Sequence, residues 1–299
     1  MKKLSKEHLK HSNDCEIEDV EGCLYIIATP IGNLSDISLR AIQLFNFVDI
    51  LLCEDTRKTK KLLSYLNLNH KNMISYNDNN APKKRPYILK QLLLNKNIGL
   101  VSDAGTPLIS DPGYKLVCEV ISSGADVHSI PGPSSVISAL SLSGLPCDKF
   151  YFHGFLSSRE KKILEELERL RDYSCTAIVF ESSRRLIKTL KYIGRTFGQK
   201  HLVSVCREMT KKFEEIRRGT VEELLEEFDS REKVKGEVVL VIGPKTFHKM
   251  DSVQIDKYLH YELQTRSVKD TVEILSKTLS LSKRVLYDRA LVIKNKLTK

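Results

Sequence analysis

Short apolar runs recur along the chain, each followed by turn residues and then by a helical spacing. Residues 23–28 (CLYIIA) are apolar with few polar interruptions, the pattern of a strand buried on both faces of a parallel sheet. Pro30, Gly32 and Asn33 form a turn, and Ser35 is a candidate cap for a helix carrying Leu39, Ile42 and Phe45. Residues 48–53 (VDILLC) predict the next strand and 60–66 a helix. A helix over 86–95 and a strand over 97–101 come next. Val117, Val120 and Ile121 then mark one face of a helix that Gly124 ends. Residues 126–130 read as a strand, followed by PGPSS (131–135) and a helix rich in small residues to Gly144. This alternation predicts an α/β domain with a mostly parallel sheet, whose ligands lie at the carboxyl ends of the strands. The loops richest in Gly, Pro and Asp, at 29–35, 102–113 and 131–135, all follow strands and should converge on one crevice.

From Phe150 the pattern restarts. Residues 150–155 are strand-like, 157–171 a charged amphipathic helix, 176–181 (TAIVFE) a strand, 184–197 a helix and 202–206 a strand. Residues 213–219 are expected to pair antiparallel. In TVEELLEEF, Thr220 and Glu223 have capping-box spacing. GEVVLVIG (236–243) is a closing strand. The domain boundaries that follow are a flexible lead over 1–21, α/β domains over 22–147 and 148–243, and a basic helical extension over 244–299.

Composition sharpens this picture in two places. The net charge is +10, and from Lys245 onward there are 12 Lys/Arg against 6 Asp/Glu. An anionic partner such as nucleic acid fits that excess, as does a solubilising tail. Seven scattered cysteines form no Cys-x-x-Cys pair and no Cys/His cluster with zinc spacing. They read as reduced, buried thiols, Cys53, Cys118, Cys175 and Cys206 among them, in a cytoplasmic protein without a metal. No apolar run approaches the roughly 18 residues of a membrane span, and the polar 1–21 has no secretory pattern.

The candidate chemistry lies in three loops. VSDAGTPLISDPG (101–113) packs Asp103 and Asp111 with two glycines and two prolines and has no lysine. There is no Gly-x-x-x-x-Gly-Lys-Ser/Thr and no Gly-x-Gly-x-x-Gly after a strand, so the usual phosphate cradles are absent. The carboxylates suit a ligand with an ammonium, a ribose or a sulfonium, and S-adenosylmethionine has all three. They equally suit turn and helix caps. EDTR (54–57) offers Glu54, Asp55 and Arg57 as acid, base or anion-binding groups, or Asp55 as a helix cap. REMTKK (207–212) offers Arg207, Glu208, Lys211 and Lys212, or is a charged turn.

Seven segments occur in order: ATPIGNLSDISLRA, EDTRKT, VSDAGTPLISDPG, IPGPSS, FESSRR, REMTK and GEVVLVIG. Together they resemble the RsmI-type branch of the tetrapyrrole methylase superfamily. Those proteins are S-adenosylmethionine-dependent 2′-O-ribose methyltransferases acting on a cytidine in the decoding centre of bacterial 16S ribosomal RNA. The resemblance covers 22–243 and is looser beyond. Metabolic members carry Gly-x-Gly-Pro-Gly-Asp after the first strand, where this chain reads TPIGN. A small-molecule methylase and a non-catalytic ribosome-assembly protein are the alternatives.

The resemblance implies two α/β domains with S-adenosylmethionine in the cleft between them, a basic helical extension, a homodimer, and the small ribosomal subunit as partner. By the same resemblance Pro30 touches the cofactor, Asp103, Gly105, Thr106, Pro107, Leu108 and Ile109 line the methionine end, and Pro131, Gly132, Pro133 and Ser134 approach from the neighbouring strand end. Glu181, Ser182, Cys206, Arg207, Glu237 and Val238 close over the adenosine. Glu54, Asp55 and Glu208 are candidate bases, and Arg57 and Lys211 candidate phosphate anchors. Lys283, Arg284, Tyr287 and Arg289 are candidates for holding RNA.

Overall fold

A computed structural model describes residues 22–69, 72–245, 252–279 and 283–297. The lead 1–21 lies outside them. The first sheet contains β1 (Leu24–Ile27), β2 (Ile50–Cys53), β3 (Met73–Ser75), β4 (Ile98–Val101) and β5 (Val127–Ile130) in the order β3-β2-β4-β1-β5, all parallel. Alternate residues of its runs feed different cores. Tyr25, Ile27, Leu51 and Cys53 pack under α1 (Leu39–Phe47) and α2 (Thr56–Tyr65). Leu24, Ile26, Ile50 and Leu52 pack under α3 (Ala81–Leu93) and α4 (Tyr114–Ser122). Burial on both faces is why these strands read as unbroken apolar runs.

The second sheet is mixed. Its order is β6 (Phe150–Phe155), β7 (Thr176–Ser182), β10 (Glu237–Ile242), β8 (Leu202–Arg207), β9 (Glu215–Thr220). Only β6 and β7 are parallel; the remaining pairs are antiparallel, including the expected β8–β9 hairpin. On one face α6 (Glu160–Asp172), α7 (Leu186–Phe197) and α8 (Val221–Asp229) cover Ala177, Val179, Val203, Val205 and Leu240. The Thr220–Glu223 capping box of α8 is formed.

The other face is where the two halves meet. α5 (Ser135–Ser143) follows the first sheet but lays Val136, Ala139 and Leu140 on Ile178, Cys206, Val239 and Val241 of the second. Ile31 and Met209 complete this seam. Each fully buried Val, Leu or Ile side chain is worth about 1.5–3 kcal/mol, so the seam ties both sheets firmly. The described residues from 22 to Pro244 accordingly form one compact unit, with the change of sheet between α5 and β6.

Several local expectations differ from the structure for identifiable reasons. Ser38, not Ser35, caps α1; Asn33 caps a short 3-10 turn over Leu34–Asp36 instead. Asp55 caps α2, which starts earlier than the apolar spacing indicates. α3 begins at Ala81 with Pro82 in its first turn, and it runs through Pro86, where the ring removes one N–H from the helical ladder. Strand β3 has three half-buried residues, too few for a visible alternation. Cys118 is exposed, because it falls on the outer face of α4, and Cys175 is half-buried.

The described residues after Pro244 form a second compact unit. There α9 (Ser252–Leu263), α10 (Val268–Leu279) and α11 (Lys283–Leu297) enclose Leu259, Leu263, Val272, Leu275, Leu286 and Ala290. Among the described residues no helix is long and apolar enough to cross a membrane.

Candidate active site

The loops after β1, β4 and β5 converge as their positions in a parallel sheet require. The Thr29 N–H donates to the Gly105 carbonyl at 2.9 Å, and the Gly105 N–H returns a bond to the Thr29 carbonyl at 3.0 Å. The Thr106 hydroxyl donates to the Pro133 carbonyl at 3.3 Å. Gly105 sits at φ 80°, a conformation that suits glycine. A Cβ on Gly132 would lie 3.0 Å from that of Ala28. Leu108 and Ser110 hold φ of 74° and 65° without being glycine, which costs on the order of 1–3 kcal/mol each.

The loop after β2 is interlocked with the loop after β4. Glu54 Oε2 accepts the Asp103 N–H at 3.0 Å, and Asp103 Oδ1 accepts the Asp55 N–H at 3.1 Å. Lys58 pairs with Asp103 at 2.8 Å. Asp55 clasps Arg57 through both carboxylate oxygens, and these bonds hold its carboxyl down at about 2. In the second half, Lys211 bridges Glu208 and Glu237, each at 2.8 Å. Burial works to raise the Glu208 carboxyl, but Lys211 and the Glu237 N–H together hold it below its ordinary range. Asp55 and Glu208 are thus firmly ionised and weak proton acceptors.

The two halves also touch loop to loop. The Asn33 N–H donates to Thr210 Oγ1 at 3.0 Å. Gly32 lies so close that a Cβ there would stand 2.5 Å from Lys211 Cγ and 2.9 Å from the Met209 carbonyl oxygen.

Between the sheets is a cavity of about 450 Å³. Ile31, Ala104 and Ser135 line it from the first half. Phe155, Phe180, Glu181–Arg184, Met209 and Gly236–Val239 line it from the second. A smaller pocket of about 130 Å³ shares Ala104, Ser135, Phe155 and Phe180 and adds Gly105, Thr106, Ile109, Ser110, Asp111 and Ser134. Asp111 is half-buried, and burial, reinforced by the charge of Glu54, pushes its carboxyl up to about 6.

Of the residues that the sequence singled out, Gly105, Thr106, Ile109, Ser134, Glu181, Ser182, Glu237 and Val238 line these cavities. Pro30, Asp103, Pro107, Leu108, Pro131, Gly132 and Pro133 belong to the same loops but do not line either cavity. Cys206 and Arg207 do not reach it. Cys206 packs under α5 with its sulfur 3.8 Å from the Ala139 carbonyl oxygen. Arg207 is on the opposite face of β8, paired with Glu215 at 2.9 Å. Glu181 contributes to the lining, yet its carboxylate is turned to α7. There it accepts the Thr189 hydroxyl at 2.6 Å and the Ser182 N–H at 2.7 Å.

Phe155, Phe180, Arg184 and Met209 were not singled out, although the last three lie within FESSRR and REMTK. Their direction depends on strand register and on how α5 docks.

In the C-terminal unit, Lys283, Arg284 and Tyr287 are exposed and line a groove of about 380 Å³ with Lys269 and Val272. Arg289, the fourth of these residues, is ion-paired with Asp256. Among the described residues one group has metal-ligand proximity, Cys23, Asp126 and His128. It lies toward the N-terminal ends of β1 and β5, away from the cleft.

A family model described as Tetrapyrrole (Corrin/Porphyrin) Methylases matches residues 23–225. A Ribosomal RNA small subunit methyltransferase I of Mesorhizobium japonicum is 38% identical over 92% of this chain and 94% of its own. Proteins of the same name from Rickettsia prowazekii and Thermotoga maritima are 41% and 42% identical over 83% and 75% of this chain, and 88% and 99% of their own. Among solved structures, the cobalt precorrin-4 methyltransferase CbiF superposes with a TM-score of 0.53 at 19% identity. It covers 74% of this chain and 95% of its own. Uroporphyrin-III C-methyltransferase from Thermus thermophilus, complexed with S-adenyl homocysteine, gives 0.51 at 17%, over 74% and 96%. The paired sheets, the loops converging on the cleft and the match over 23–225 agree: this chain belongs to the tetrapyrrole methylase family.

Proposed function

We propose that the protein is an S-adenosylmethionine-dependent methyltransferase that methylates the ribose 2′-oxygen of a cytidine in small-subunit 16S ribosomal RNA. The observation that carries this is the relationship to ribosomal RNA small subunit methyltransferase I proteins at 38–42% identity, together with the chemistry of the cleft. The donor set fits the cofactor. Phe180, Val238 and Val239 offer apolar surface to an adenine, and Ser134, Ser182 and Thr106 offer hydroxyls. Gly105 and Gly132 leave room for backbone to approach. Bound there, S-adenosylmethionine supplies an electrophilic methyl group.

The chain's own part is to hold and align the reacting groups, which can supply much of the rate. The Asp103–Lys58 and Glu208–Lys211–Glu237 ion pairs keep the loops in register from both halves. Glu54 acts the same way, holding the Asp103 N–H. The Arg57 side chain is 86% exposed, which leaves it open to a substrate phosphate beside its bond to Asp55. The same reading makes the protein a cytoplasmic homodimer.

Undermethylated small subunits and a porphyrinogen, each offered with labelled S-adenosylmethionine, test this. The expected product is 2′-O-methylcytidine in digested RNA. Label in the porphyrin instead would move the protein to a small-molecule substrate. Binding of both cofactor and RNA with no label in either would leave only a ribosome-assembly role.

The basic C-terminal unit neutralises RNA phosphates in this reading. Replacing Lys283 and Arg284 together with glutamate should weaken RNA binding while sparing cofactor affinity. It should also flatten the dependence of log affinity on log salt by about one for each phosphate left without its cation. Filter binding at several salt concentrations reads this, and an unchanged slope would exclude the two residues from the interface.

A further inference from the structure

The carboxylates lining the cleft differ in what holds them. Glu181 is committed to Thr189, Arg185 and the Ser182 N–H on the helix side of β7. Glu237 is paired with Lys211. Among the described residues, Asp111 is the lining carboxylate without a cation. The groups that face it are Glu54 from the end of β2, Asp103 and the Ser102 hydroxyl from the loop after β4, and Asp78 from the loop before α3. The Lys58 ammonium is bonded to Asp103. Asp111 is also not a helix cap, because α4 starts after Gly113 with no side-chain cap bond. Its setting is rigid: Ser110 before it and Gly113 after it hold φ of 65° and 138°, with Pro112 between. An acid is therefore held half-buried in the wall of the smaller pocket, at the cost of a strained loop, with no ion pair or cap that accounts for it.

We infer that Asp111 is the proton acceptor of the methyl transfer, receiving the proton of the ribose 2′-hydroxyl. This rests on the reading of the cleft as a ribose methyltransferase site. The hydroxyl oxygen forms its bond to the methyl carbon as the O–H bond breaks. The methyl–sulfur bond breaks with its electron pair staying on sulfur, and the proton goes to the Asp111 carboxylate. The products are the 2′-methoxy ribose, S-adenosylhomocysteine and a neutral Asp111 that solvent then deprotonates. A carboxyl at about 6 is mostly ionised at neutral pH and is a stronger base than an ordinary aspartate. The other candidate acids lack one of these properties. Asp55 and Glu208 are held low by cations, and Glu54 is bonded to the Asp103 N–H.

The test uses the full chain with small subunits under single-turnover conditions, alongside calorimetric titration with S-adenosylhomocysteine. Wild-type transfer should rise with pH and level off above about 6, the value at which Asp111 ionises. Asp111→Asn should lower the transfer rate by about 10²–10⁴-fold and lose that acidic limb. Its affinity for S-adenosylhomocysteine should stay close to wild type. Asp111→Glu should restore part of the rate and the limb. If Asp111→Asn transfers at the wild-type rate with the limb intact, or fails only through loss of S-adenosylhomocysteine binding, the assignment is overturned. Wild-type protein that leaves no methyl group on RNA overturns the underlying reading instead, and Asp111's role with it.

Discussion

Gly32→Val is expected to weaken S-adenosylhomocysteine binding five- to a hundred-fold, the equivalent of about 1–3 kcal/mol of overpacking. The physical cause is the close approach of the loops that shut the cleft. A Cβ at residue 32 would meet Lys211 Cγ at 2.5 Å, Thr210 Oγ1 at 2.6 Å and the Met209 carbonyl oxygen at 2.9 Å. The two side chains can swing aside, but the carbonyl oxygen is backbone and must move with its strand end. Neighbouring residues Ile31 and Met209 both line the cavity, so displacement at this point widens it. Swinging Lys211 aside also releases Glu208 and Glu237. Calorimetric titration reads the affinity, and far-ultraviolet circular dichroism should show both sheets retained. Wild-type affinity in a folded Gly32→Val protein would mean that this loop packing does not shape the cleft.

Glu215→Gln is expected to cost about 3 kcal/mol of stability at neutral pH. Glu215 is the hub of an ion network, bonded to Arg207, Arg217 and Arg231 with only 14% of its side chain exposed. Arg231 leads in holding its carboxyl down, against burial and with help from Arg207 and Arg217, from 4.5 to about 2. Because the folded-state value is depressed, this contribution is complete above 4.5 and disappears as pH falls through about 2. Glutamine keeps the shape, but leaves the Arg207 guanidinium, 18% exposed, without its carboxylate. Urea unfolding as a function of pH gives the comparison. Wild type should lose its advantage over the variant between those two values, and the curves should merge at the acid end. A constant difference between them down to pH 2 would assign the effect to packing.

Much of the scaffold was legible because it rests on local physics. Buried parallel strands such as Leu24–Ile27 and Ile50–Cys53 need apolar side chains on both faces, so they appear as uninterrupted runs. The helix cap at Thr220 is a backbone requirement met within four residues. Gly and Pro mark the loops after β1, β4 and β5, and a parallel sheet obliges those loops to meet. That much of the site follows from the order of residues alone, while Gly105, Thr106, Ile109 and Ser134, which do stand in its wall, were singled out by the family resemblance.

What lay beyond the sequence was direction and environment. Cys206 and Arg207 are neighbours in a loop-flanked strand, yet one packs under α5 and the other joins the Glu215 network. Strand alternation sends them to opposite faces, and only the docking of α5 decides which face meets the cleft. Glu181 and Phe180 divide in the same way, the carboxylate toward α7 and the ring into the cavity. Asp111 illustrates the remaining gap. Its residue type was plain, but its proton affinity comes from burial and from Glu54, which stands 57 positions earlier in the chain. Local pattern determined which segments become strands, helices and ligand loops, because those choices depend on near neighbours. Tertiary structure decided which side chains face one another across the cleft and in what dielectric, because those terms act through space between segments distant in the chain.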